Sequence, residues 1–124
     1  MRSLSFAFLL CGTVAVLIGM AWGIQMAATG DHGLSPAHAH LNLLGWVTFA
    51  IYGFYYHLVP TASASRLAWV HFGLALLGLV LIVPGIAMAV SGSGETLAKV
   101  GSLVTLLSAL VFLVVLWRSR LTTP

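Results

Sequence analysis

Acidic residues are almost missing from this chain: Asp31 and Glu95 are the only two in 124 residues, against five lysines and arginines. All charged residues together make up 6%. A soluble domain carries roughly a quarter, so a water-soluble globule is excluded. Both carboxylates fall in polar breaks between apolar runs. A small proton-coupled exporter needs a carboxylate inside the membrane, and that function class is therefore argued against. Cys11 is the only cysteine, which excludes an internal disulfide. The isoelectric point is near 9.6, but the basic residues are too few and too scattered for a nucleic-acid face. No linker, low-complexity stretch or charge block divides the sequence.

What is present is apolar length. The chain is 60% hydrophobic with a mean hydropathy of +1.09. Runs of about 20 apolar residues span a hydrocarbon core of roughly 30 Å, and four fit within residues 1–124. The expected helices run from about Ser5 to Ala27, Pro36 to Leu58, Arg66 to Val90 and Leu97 to Trp117. The breaks TGDHGLS (29–35), PTASAS (60–65) and SGSGE (91–95) are rich in turn formers. They are short, so neighbouring helices should run antiparallel. The expected fold is an all-α integral membrane protein, a single four-helix up-down domain.

The few charges predict its orientation. With four crossings, Arg2, Arg66, Arg118 and Arg120 share one side, while Asp31, Glu95 and Lys99 share the other. By the positive-inside rule the arginine side is cytoplasmic, with both termini inside. The first run is read as a retained helix. It is longer than a signal-peptide core, Ala27-Ala28 is a weak cleavage site, and Leu10 before Cys11 is too large for a lipoprotein motif. Ser35 followed by Pro36 predicts a helix start, with the hydroxyl as N-cap and proline at the first helical position. Pro84, followed by Gly85, predicts a kink within the third helix rather than a break. Gly19 and Gly23 form a GxxxG pair, with Gly12 a heptad earlier, that would let helices approach closely. Gly45, Gly53, Gly73 and Gly78 would admit either a neighbouring helix or a flat ligand. Trp22, Trp69 and Trp117 read as interface anchors.

The segment SPAHAHLNLLGW, residues 35–46, carries the chemistry. Ionisable residues inside spans usually face a bundle interior and mark function. On a regular helix, residues two apart are rotated by about 200° and separated by about 3 Å. His38 and His40 therefore point to opposite faces and cannot hold one metal between them. If both are ligands, they serve different centres. One protomer has one interior, so the other imidazole meets lipid or a neighbouring chain, which points to an oligomer with a ligand at each protomer boundary. The plainer alternative is that a histidine near a helix N-terminus is an interfacial polar residue.

HAHLNLLGW also resembles ligand-bearing helices of the catalytic subunit of haem–copper oxidases and nitric oxide reductases. Those subunits arrange twelve helices as three arcs of four, and an H-x-H pair near the outer end of one helix ligates two haems. His38 and His40 are similar to that pair in spacing and position. The chain as a whole resembles small four-helix oxidase subunit I-like proteins. The resemblance implies one arc, completed as a homotrimer in a bacterial cytoplasmic membrane. It also implies a b-type haem between protomers, with His38 of one copy and His40 of the next as axial ligands. Asn42, one turn after His38, and Trp46, which could pack on the macrocycle, complete the expected cofactor site. A bis-histidine iron suits electron transfer or redox sensing more than ligand activation.

Two departures bear on activity. The His-Pro-Glu-x-Tyr helix and the His-His pair of the oxidases are missing, which argues against a copper centre and oxygen reduction, so enzymatic turnover is left open. Paired arginines for the haem propionates are missing too, leaving Lys99, His32, Trp46 or backbone amides to substitute. Two alternatives remain beside the haem reading. One is a copper-binding or oxidase-assembly protein using His32 with His38 or His40, and methionines such as Met20, Met26 or Met88. The other is a cofactor-free structural membrane subunit. His57, 17 residues past His40 and so about 25 Å deeper, cannot share a centre with the pair. His57 and His71 are both expected at the cytoplasmic interface beside Tyr55, Tyr56 and Trp69.

Overall fold

A computed structural model of the chain describes Met1 and residues 3–121, so Arg2, one of the four arginines that predict orientation, lies outside the described residues. The helices are α1 (Ser3–Thr29), α2 (Ser35–His40), a π-helical stretch (Leu41–Val47), α3 (Thr48–Leu58), α4 (Pro60–Ser63), α5 (Arg66–Val90) and α6 (Thr96–Ser119). No strand occurs among the described residues. Three helices, α1, α5 and α6, are long and apolar enough to cross a membrane. The second expected span is helical without interruption from Ser35 to Leu58, but it changes winding at Leu41 and again at Thr48.

The expected boundaries hold to within about two residues, the usual uncertainty at helix ends. One local expectation is corrected. Ser35 is not an N-cap: the cap position is Leu34, without a side-chain bond. The Ser35 amide and hydroxyl instead both donate back to the His32 carbonyl, at 3.1 and 2.6 Å. That carbonyl draws Ser35 into the first turn, so its oxygen is turned away from the helix. At α5 a serine N-cap does form, with Ser65 accepting from the Ala68 amide. Helix α5 continues through Pro84.

Each long helix packs chiefly on its neighbour in sequence: α1 on the π-helical stretch and α3, α2 on α5, and α5 on α6. The glycines explain how close these contacts are. A Cβ on Gly85 would lie 2.5 Å from the Ala98 amide nitrogen, and one on Gly101 would lie 2.6 Å from that of Ile82. Backbone therefore rests on backbone along the α5–α6 seam, the close approach that small residues permit where lipid supplies no hydrophobic drive. On α1, Gly12 lies against the Gly45 backbone, while Gly19 and Gly23 make room for the Asn42 and His38 side chains. Of the glycines that left ligand or helix open, Gly45, Gly53 and Gly78 face neighbouring helices, while Gly73 meets nothing.

The outward faces are largely apolar. Leu17, Ile24, Ile51, Phe54, Leu103 and Leu113 are each more than half exposed. Such a surface is far beyond what a soluble monomer presents. It suits a lipid environment.

Candidate functional site

The helices divide the molecule into two ends. The loops bearing Asp31 and Glu95 lie at one, the acidic end; Arg66 and Arg118 mark the other, the arginine end. The candidate ligands are at the acidic end. His38 and His40 both belong to α2, which has regular α geometry, so the half-turn between their rings applies.

His38 turns toward α1. Its Nε2 lies 2.9 Å from the Gly19 carbonyl oxygen. A carbonyl only accepts, so this nitrogen carries the proton and donates. Asn42 Nδ2 donates to the His38 carbonyl at 2.8 Å. Its 3.3 Å approach to His38 Nε2 is then a contact between two donors rather than a hydrogen bond. Trp22 meets the His38 ring edge to face, with centroids 5.8 Å apart. The bare backbone of Gly19 and Gly23 admits the ring, since a Cβ on Gly23 would come within 3.3 Å of His38 Nε2. Trp46 continues the same face and lies against Gly12.

His40 is different. Its Nδ1 donates to the Pro36 carbonyl of its own helix at 2.7 Å. The neutral imidazole then has its lone pair on Nε2, the nitrogen remote from the backbone. A histidine that donates one ring N–H to a carbonyl and offers the other nitrogen has the preparation typical of a metal ligand. His32, in the loop, is held in the same way, with Nδ1 3.2 Å from the Gly30 carbonyl.

The structure thus brings His38, Asn42 and Trp46 together against the glycine ridge of α1 and separates His40 from them. No cluster of three or more histidine, cysteine or acidic side chains suited to a metal ion occurs among the described residues. Immediately after His40 the helix widens into the π-helical stretch, a feature often found at functional sites. The Thr48 hydroxyl accommodates it by donating to the Leu43 carbonyl five residues back, at 2.9 Å. Nothing in the apolar pattern marks that stretch in the sequence.

The arginine end holds a second cluster. His71, expected at the cytoplasmic interface beside Tyr55, Tyr56 and Trp69, is fully buried between the helices. Its ring stacks on Phe112, with centroids 5.1 Å apart, and meets Tyr52 edge to face at 4.4 Å. Tyr56, also fully buried, shares a hydrogen bond of 3.0 Å with His71 Nδ1. The reason is helical register: His71 lies on the Ala68–Ala75–Gly78 stripe that faces the core, where aromatic neighbours pack around its ring. His57, by contrast, is exposed. Nearby, the Tyr55 hydroxyl bonds Ser119 and ties α3 to α6. The spacing of His71 from Ala68 and Ala75 was the available signal for its burial.

Comparison with known proteins adds no assignment: no family model, no curated protein and no solved structure matches this chain.

Proposed function

We propose that the chain is a four-span protein of a bacterial cytoplasmic membrane that binds a b-type haem at its acidic end, with His40 as an axial ligand. The observation that carries this reading is the His40 Nδ1–Pro36 carbonyl bond of 2.7 Å, which leaves Nε2 free to ligate iron. The 24-residue helical run from Ser35 to Leu58, at about 1.5 Å per residue, is long enough to serve as the fourth span. Packing of each helix on its neighbour in sequence supports an open arc, closed by further copies as a homotrimer. The haem would supply one-electron chemistry.

His38 fits the group less well. Its Nε2 is held by Gly19, so it reaches the second axial position of a neighbour's haem only if the ring leaves α1. Copper in place of haem would draw on the free Nε2 atoms of His40 and His32. Absorption spectra of the detergent-purified protein test the proposal. Sharp reduced α-bands that vanish in His40→Ala are expected, and native mass spectrometry should show three chains. A colourless wild-type protein, reconstituted with haem and still without a Soret band, removes the haem reading.

A second reading is favoured by the placement of His38, Asn42 and Trp46 against Gly19, Gly23 and Gly12. These three side chains would be polar and aromatic packing in a cofactor-free structural subunit. Under that reading His38→Ala destabilises the fold and His40→Ala does nothing.

A further inference from the structure

The two ends treat their charges differently. At the acidic end, Lys99 pairs with Glu95 at 3.0 Å, one turn earlier on the helix. At the arginine end there is no acidic side chain, and neither Arg66 nor Arg118 forms an ion pair among the described residues. Both nevertheless line one cleft of about 390 Å³, together with Thr61, Ser65, Leu67 and Ser119. That volume lies within the roughly 300–1,000 Å³ usual for small-ligand sites.

The cleft is built by three elements. Helix α4 forms one wall, the first turn of α5 a second, and the end of α6 the third. Two of the lining hydroxyls have bonds of their own. Ser65 accepts from the Ala68 amide and donates to the Ala62 carbonyl, and Ser119 bonds Tyr55 and the Leu116 carbonyl. The cleft lies at the N-terminal end of the 25-residue α5, which adds the partial positive charge of a helix start. Trp69 and Trp117 flank this level and are exposed, with Arg120 stacked 3.5 Å over the Trp117 ring. Exposed tryptophans at helix ends mark the headgroup region.

We infer that this cleft is a binding site for a phosphate-bearing anion, held between the guanidinium groups of Arg66 and Arg118. Guanidinium is suited to this because its fork of donors matches two phosphate oxygens at once. At a membrane surface the chemistry has two sources. One is the headgroup of an anionic phospholipid, of the kind basic pockets between spans take up; the other is a soluble phosphate.

The full-length protein in detergent, given equal amounts of dioleoylphosphatidylglycerol and dioleoylphosphatidylcholine, tests this by native mass spectrometry. Wild type should retain the anionic lipid at least about ten-fold over the zwitterionic one, as two basic residues near a surface would give. Lys99→Gln should match it. In the Arg66→Gln/Arg118→Gln double variant the preference should fall to near parity. Arg66→Lys/Arg118→Lys keeps the charge and should keep part of the preference, which separates loss of charge from loss of fold. Thermal protection by millimolar inorganic phosphate alone, lost in the glutamine variant, assigns the site to a soluble anion instead of a lipid. An undiminished lipid preference in the glutamine variant overturns the site. So does a wild-type protein with neither lipid preference nor phosphate protection.

Discussion

The Tyr56 hydroxyl and His71 Nδ1 lie 3.0 Å apart, and both residues are fully buried. The second ring nitrogen of His71 has no partner among the described residues. One hydrogen bond therefore joins the two side chains in an otherwise aromatic layer made by Phe8, Tyr52 and Phe112.

Tyr56→Phe should lower stability by about 1–3 kcal/mol, because it leaves His71 with both nitrogens unpaired in a low-dielectric site. Replacing both residues, Tyr56→Phe with His71→Phe, should recover most of that loss. Thermal unfolding of the two single variants and the double variant in one detergent measures the coupling. Strictly additive effects would show that the bond contributes nothing.

His38→Gln separates packing from ligation. Glutamine can still donate an N–H toward the Gly19 carbonyl but cannot serve as an axial haem ligand. If His38 is a packing residue, the variant keeps the wild-type melting temperature to within a few degrees and keeps any Soret band. Loss of a low-spin spectrum with the fold intact would make His38 a ligand.

The glycines differ sharply in what they tolerate. Gly85→Ala drives a methyl into the Ala98 backbone at 2.5 Å, and neither helix can give way without separating from the other. A loss of about 1–3 kcal/mol or more is expected, as for other overpacked sites. Gly73 has open space around it, so Gly73→Ala should be neutral or stabilising by several tenths of a kcal/mol through helix propensity. Side-by-side thermal melts give the comparison; equal effects would contradict the packing described.

Thr105 has a buried hydroxyl without a partner among the described residues, and its Oγ1 lies closest to where a Cβ on Gly78 would stand, at 2.6 Å. Valine has the same shape without the polar group. Thr105→Val should therefore leave stability unchanged or raise it by roughly 1 kcal/mol. A clear drop in melting temperature would reveal a hydrogen bond to that hydroxyl, from water or from a partner molecule.

The helices were legible from the sequence because each is a long apolar run between turn formers, and apolar length needs no partner to be recognised. The opposed directions of His38 and His40 were legible for a similar reason, since 3.6 residues per turn fixes relative rotation within a helix. What each ring meets was not. His38 is held inside the protomer because Gly19 and Gly23, 19 and 15 residues away in sequence, bring bare α1 backbone to its Nε2. Gly12, Gly19 and Gly23 read as a close-packing ridge, but a ridge does not say which helix it receives. His71 was placed at the interface from its depth alone, whereas the contact of α5 with Phe8, Tyr52 and Phe112 turned it inward. The arginines predicted an orientation one by one, and only the meeting of α4, α5 and α6 put Arg66 and Arg118 around one cleft. Sequence determines the period and length of each helix because those are local backbone properties. The azimuth at which one helix meets another depends on side chains far apart in the chain, so only the tertiary structure decides which polar groups face a partner and which remain free.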